Sequence, residues 1–210
     1  MERFVHQLKN ALEYLPGEDA HSLMLPRNRA ESVRQLKEDN DFRESAVAII
    51  LFEKERKLHF TLIQRPDYNG AHSGQVAFPG GKQDKTDLSL WHTAKRESRE
   101  EIGVREEDLK EIGALTPIYI PVSKFRVSPF IFWWEGSYSF VADEREVDEI
   151  LIVPLSDLLE EHRIKSSQFK VGGGLTLKDI PFFDLADKRV WGATAIILSE
   201  FRAVLQHLSF

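Results

Sequence analysis

A chain of 210 residues with 42% hydrophobic and 30% charged side chains can bury a sizeable core and fits one domain with extensions better than two. Its formal net charge of -6 argues against non-specific binding to nucleic acid or an anionic membrane, while a local metal ion and a few arginines would still admit an anionic substrate. Cysteine is absent, which excludes disulfides and thiolate metal sites; no apolar run approaches the roughly 18 residues of a membrane helix and the N-terminus lacks a signal-peptide core, so a cytoplasmic protein is expected.

Phe4, Val5, Leu8, Leu12 and Leu15 recur at helical spacing, so residues 1–15 are predicted to form an amphipathic helix stopped by Pro16-Gly17. Charged residues and Pro26 then mark a linker to Asp41, with one helix near Glu31 to Glu38. We therefore expect an N-terminal helical extension over 1–40 and the main domain over 41–210. Ser45 to Phe52 is nearly continuous in apolar residues and predicts a strand buried on both faces. A charged turn at Lys54 to Lys57 returns the chain as a partner strand, Leu58 to Gln64. Asp67 to Gly74 is rich in turn formers and reads as a loop; its His72 reads as a surface residue rather than a catalyst.

The stretch Phe78 to Val104 concentrates the chemistry. A Pro-Gly-Gly turn (Pro79, Gly80, Gly81) leads through an Asp-rich loop into a helix carrying Arg96, Glu97, Glu100 and Glu101, which ends at Gly103. With about 100° per residue, the three glutamates share one face and repel one another. A hard divalent cation with oxygen ligands is the natural counter-charge. On the opposite side Leu88, Trp91, Ala94, Ser98 and Ile102 follow helical spacing and are predicted to pack on the sheet, which makes Trp91 a core residue.

Downstream, Leu109 to Leu115 predicts a short strand. Phe125 to Trp134 predicts another, with Pro129 implying an edge or a bulge. A strand over Leu151 to Pro154 precedes a short helix capped by Ser156, and Gly172 to Gly174 should turn between strands around Phe169 and Phe182. Trp191 to Leu208 closes as a helix with the stripe Ala195, Ile197, Leu198, Phe201, Val204, Leu205 and Leu208. Mixed strands and helices imply an α+β fold or αβα sandwich. The N-terminal helix and the exposed-looking FIFWW strand are compatible with a homodimer.

The residues Gly81, Asp87, Arg96, Glu97, Glu100, Glu101, Gly103 and Val104 resemble the Nudix box, written G-x5-E-x7-R-E-U-x-E-E-x-G-U with U apolar. Asp87 stands for the first Glu, one extra residue precedes Arg96, and Ser98 occupies the first apolar position. Upstream, Arg65, Gly74 and Phe78 to Gly81 resemble the motif of the coenzyme A pyrophosphatase branch, LLTxRS-x3-R-x3-G-x3-FPGG. Pro66 replaces its Ser and Gly70 its second Arg; the one-residue insertion is usual in that branch. The resemblance implies a Nudix fold, a mixed β-sheet between helices, and cleavage of the diphosphate of a nucleoside-diphosphate derivative with Mg²⁺ or Mn²⁺. Coenzyme A leads as substrate; ADP-ribose or a nucleotide sugar is the alternative that Gly70 keeps open, and a catalytically silent nucleotide-binding module is the reading outside enzymology.

On this reading Glu97 and Glu101, one turn apart, are candidate ligands of one ion, and Glu100 shares a second ion or serves as base. Arg96 orients the carboxylates. Glu146, which lies before the VPL segment as in that branch, is a further ligand or base, or an exposed member of the charged run Asp143 to Glu149. Arg65 suits a substrate phosphate, with a salt bridge to the acidic helix as its rival; Lys82 is a second phosphate candidate. Gly80 and Gly81 let backbone approach closely, Asp84 and Asp87 order the loop, and Asp87 is a candidate to support the ligands from behind.

Overall fold

In the computed structural model, which describes residues 2–25, 42–67, 74–121, 123–136, 139–170 and 176–208, one long strand sets the geometry of the site. The run Ser45 to Phe52 lies within β1 (Arg43–Lys54). Along it the side chains alternate between two cores: Ile49 and Leu51 join one, Ala46, Ala48, Ile50 and Phe52 the other. This is why the sequence shows no polar alternation there. β1 pairs in parallel with β7 (Phe125–Trp134) from Arg43 opposite Phe125 to Leu51 opposite Trp133. Its far half pairs antiparallel with β2 (Lys57–Gln64), through a turn in which Glu55 and Arg56 both take positive φ, as a tight hairpin demands. Its near half pairs instead with β4 (Gly80–Lys82), Val47 opposite Gly80 and Ser45 opposite Lys82.

β3 (Val76–Ala77) and β8 (Glu149–Pro154) pair with β2, and β5 (Leu109–Ala114) and β6 (Ile118–Ile120) with β7, giving a mixed eight-stranded sheet. α1 (Glu2–Ala11), the short α4 (Leu155–Leu159) and the C-terminal α5 (Gly192–Leu205) cover one face. There Phe4, Leu8, Leu155, Phe201 and Leu205 meet Ile49, Leu51, Phe60 and Leu62. α3 (Leu90–Ile102) covers the other face, where Ala94 and Ile102 meet Phe130, Phe132 and Trp134. The α+β architecture, a mixed sheet between helices, is the one expected.

Several local expectations need correction. The first helix ends at Ala11 rather than Leu15, and α2 (Glu18–Ser22) follows Pro16-Gly17. Pro129 lies on neither edge, since β7 is flanked on both sides, although the β5–β7 pairing does carry an irregularity nearby, between Glu111 and Gly113 opposite Phe132 and Ile131. Its carbonyl accepts the Leu115 N–H at 3.0 Å, so its missing N–H falls at the break between β5 and β6. The FIFWW strand is not exposed either; Ile131 and Phe132 are fully buried within the chain, which removes one of the two grounds for a homodimer. α4 begins after Pro154 with no side-chain cap, and Ser156 lies inside its first turn. Leu88 is 92% exposed because α3 starts two residues later, capped by Ser89. Trp91 does pack in the core, its ring 4.2 Å from Phe130.

β9 (Ile164–Lys170) and β10 (Thr176–Leu185) form the expected pair, joined by an unforeseen β11 (Lys188–Val190) into a second sheet with its own apolar cluster of Phe169, Ile180 and Phe182. The turn at Gly172 to Gly174, the helix near Glu31 to Glu38, and Asn69, Gly70 and His72 lie outside the described residues.

Candidate functional site

The site forms where β4 passes under α3. The Gly80 backbone sits at φ +154°, and a Cβ there would lie 2.3 Å from the Ala46 carbonyl oxygen, so only glycine allows β4 this close to β1. The Gly80 N–H, turned towards the helix, donates to Glu101 Oε2 at 2.8 Å. At Gly81 the missing side chain serves a different purpose: a Cβ would lie 2.5 Å from the Glu97 carboxylate. The two glycines thus seat two glutamates one helical turn apart.

Glu101 is 2% exposed. Burial, reinforced by the charges of Glu97 and Glu146 and opposed by the Gly80 N–H and Arg65, pushes its carboxyl up to about 8. Glu97 is raised as well, first by burial, against the pull of Arg96. Two desolvated carboxylates whose negative charge the protein leaves under-compensated are a donor set suited to a hard divalent cation. Among the described residues, no three acidic or histidine side chains already converge at metal-holding distance.

Glu100 stands apart from that pair. It is half exposed and binds Arg96 at 2.9 Å and Arg99 at 3.1 Å. Arg96 is the organiser. Its Nε and Nη2 donate to the two Asp87 oxygens at 2.9 and 3.0 Å, its Nη1 reaches Glu97 and Glu100 at 2.9 Å each, and its Nη2 also donates to the Lys82 carbonyl at 3.2 Å. This bidentate pairing holds Asp87 far below the usual carboxylate range and raises Arg96.

Asp87 does more than order the loop. Its side chain is buried and also accepts from Thr93 Oγ1 at 2.9 Å and the Asp84 N–H at 2.9 Å, with His92 Nδ1 at 3.3 Å. It therefore ties the loop, the first turn of α3 and Arg96 together. Sequence reading passed over Thr93; its place six residues after Asp87, inside a helix capped by Ser89, was the available signal.

Arg65 is half-buried where β2 ends. Its charge acts on Glu101, yet it makes no ion pair with α3 among the described residues, and its Nε is buried without a hydrogen-bond partner there. Lys82 is exposed beside the site. Glu146 is exposed in a turn, and its charge raises both Glu97 and Glu101. Gly103 closes α3 at φ +71°, its N–H donating to the Arg99 carbonyl at 3.1 Å, the left-handed cap expected.

Comparison with known proteins identifies the family. The family model for the NUDIX domain matches residues 42–171. The human mitochondrial coenzyme A diphosphatase NUDT8 is 38% identical over 134 residues, covering 63% of this chain but only 56% of its own length. An uncharacterized Nudix hydrolase NudL of Pectobacterium atrosepticum is 42% identical over 143 residues, covering 61% of this chain and 66% of its own. Among solved structures, the Nudix hydrolase RenU of M. smegmatis superposes with a TM-score of 0.56 at 14% identity, covering 80% of this chain and 88% of that one, a likeness of fold. A glycine elbow seating two glutamates under an Arg-Glu helix, within a sheet of this topology and a domain match of this length, places the chain in the Nudix family of hydrolases, which act on phosphoanhydrides.

Proposed function

We propose that the protein is a divalent-metal-dependent pyrophosphatase whose substrate is coenzyme A, cleaved to 3',5'-ADP and 4'-phosphopantetheine. The observation that carries the substrate choice is the run from Arg65 through Gly74 to Phe78-Pro79-Gly80-Gly81, whose glycines here meet Glu97 and Glu101. The 38% identity to the human coenzyme A diphosphatase supports it.

In this reading Glu97 and Glu101 would hold Mg²⁺ or Mn²⁺, with Glu100 as a further ligand. The ion would supply neutralisation of phosphate oxygens and a lowered pKa for water. Arg96 keeps Glu97 and Glu100 oriented through its anchorage on Asp87. Arg65, half-buried where β2 ends, offers its guanidinium to a phosphate oxygen, as Lys82 does from the rim; the Gly80-Gly81 backbone lies along the diphosphate. Glu146 or Glu100 takes the proton from the attacking water. N-terminal residues 1–40 act as a helical extension of a domain over 41–210.

A screen of purified protein with Mn²⁺ against coenzyme A, ADP-ribose, nucleotide sugars and dinucleotide polyphosphates tests the choice. The expected result is fastest turnover of coenzyme A. No turnover of it beside rapid turnover of ADP-ribose would move the protein to the alternative that Gly70, in place of a second Arg, keeps open.

A further inference from the structure

Glu146, whose charge acts on both Glu97 and Glu101, stands in a turn that the helix itself holds. The backbone carbonyls of Glu101 and Ile102, at the end of α3, have no helical partners of their own. The segment after β7 fills that need: Val141 N–H donates to the Ile102 carbonyl and Asp143 N–H to the Glu101 carbonyl, each at 3.0 Å. Asp143 then closes the turn, its carbonyl accepting the N–H groups of Glu146 at 2.9 Å and Val147 at 2.8 Å. Val147 is buried in the core under α3, and Asp148 N–H bonds the Gln64 carbonyl at 2.9 Å. The turn is thereby fixed at both ends.

Its side chains are arranged with equal definition. Arg145, the cation next to Glu146 in the chain, is engaged by the Asp143 carboxylate: Nε at 3.0 Å, Nη2 at 2.6 Å, and the Arg145 N–H at 3.0 Å. Glu146 itself has no ion-pair partner among the described residues, although its charge is felt by Arg145 as well as by Glu97 and Glu101. A glutamate unpaired among the described residues, whose charge acts on two others, keeps that freedom only while the guanidinium one residue away is held elsewhere.

We infer that Asp143 is a positioning residue that sequesters Arg145, so that the Glu146 carboxylate stays unpaired and turned to the site. The inference rests on the reading of Glu146 as a working carboxylate. Without the Asp143 carboxylate, Arg145 swings to Glu146 and masks it. A second arrangement, in which Asp143 only shapes the turn, differs in one respect: removal of Arg145 would then repair nothing.

The test is a set of variants assayed for kcat and KM on coenzyme A with Mn²⁺, each checked by thermal melting. Asp143→Ala is expected to lower kcat about 10- to 100-fold, the range in which a misplaced catalytic group costs rate, with KM little changed. Arg145→Ala alone keeps wild-type kcat. Arg145→Ala in the Asp143→Ala background recovers most of the lost rate. Asp143→Asn, which keeps an acceptor and the backbone bonds, loses rate like the alanine variant and is rescued in the same way. No rescue in either background overturns the inference. Glu146→Gln separates the two levels: wild-type kcat there removes the role given to Glu146, whereas a loss there together with an unimpaired Asp143→Ala removes only the role given to Asp143.

Discussion

Gly81 and Glu97 occupy one space, and this makes the glycine a functional residue rather than a folding one. An added Cβ would meet the far end of a flexible side chain at 2.5 Å, which can swing away, and the strand itself would persist. Gly81→Ala is therefore expected to leave thermal stability within about 1 kcal/mol of wild type while lowering kcat at least about 100-fold through displacement of Glu97. Gly80→Ala is the contrast. There the Cβ strikes the Ala46 carbonyl at 2.3 Å in a backbone conformation at φ +154°, and the fold itself is expected to lose on the order of 2–3 kcal/mol. Paired melting and kinetic measurements on the two variants decide it; equal destabilisation by both would show that Gly81 serves the strand and not the carboxylate.

At the scale of elements, α5 is fastened to the N-terminal turn and to the β5–β6 connection by one buried carboxylate. Glu200, fully buried, accepts from the Gly17 N–H (3.0 Å), the Thr116 N–H (3.0 Å) and Thr116 Oγ1 (2.6 Å), and meets His21 Nε2 at 3.1 Å. Burial pushes its carboxyl up, but the His21 and Thr116 hydrogen bonds outweigh it and hold the group below its ordinary 4.5. A depressed folded pKa contributes stability that is present above about 4.5 and lost as pH falls through the folded value. Glu200→Gln should cost roughly 2–4 kcal/mol near neutrality, since donors built for a carboxylate are left poorly matched, and should flatten the loss of stability below about pH 4.5. Chemical denaturation across pH 3–7 reads both effects; an unchanged acid limb would remove Glu200 from the account. This anchor was invisible in the sequence because its partners lie 84 to 183 positions away and no local period marks such a contact. By contrast, the two faces of β1, the helix of Arg96 to Glu101 and its Gly103 cap were legible, since each follows from local spacing or a backbone rule. Pro129 and the FIFWW strand misled for a shared reason: neighbouring strands decide where an edge lies, and the strand's own residues do not. Asp87 was visible as a motif position, but its four-way engagement depends on how the loop folds back on α3.

For the molecule as a whole, the acidic ridge is placed where any gain or loss of charge compensation is transmitted to the fold. α3 is bonded to β4 through Glu101, β4 is paired to the central strand β1, and the helix end is bonded to the segment leading into β8. An ion that binds the folded chain and not the unfolded one stabilises the whole by mass action, about 2.7 kcal/mol at 100 times Kd. For a domain of this length that corresponds to a rise in Tm of roughly 5–10 °C. Mn²⁺ or Mg²⁺ at millimolar concentration is expected to produce such a rise, and EDTA to reverse it. Ca²⁺ is expected to act more weakly in a site offering so few carboxylates. The gain should vanish in the Glu97→Gln, Glu101→Gln double variant, whose melting in EDTA should be at or above the wild-type value, because two desolvated acids that repel one another have been replaced by neutral amides. Melting curves indifferent to Mn²⁺, or a double variant that keeps the full shift, would place the ion away from the ridge. The surviving shift would then have to come from carboxylates elsewhere on a chain whose net charge is -6, and the glycine elbow would be left holding two glutamates for a purpose other than metal.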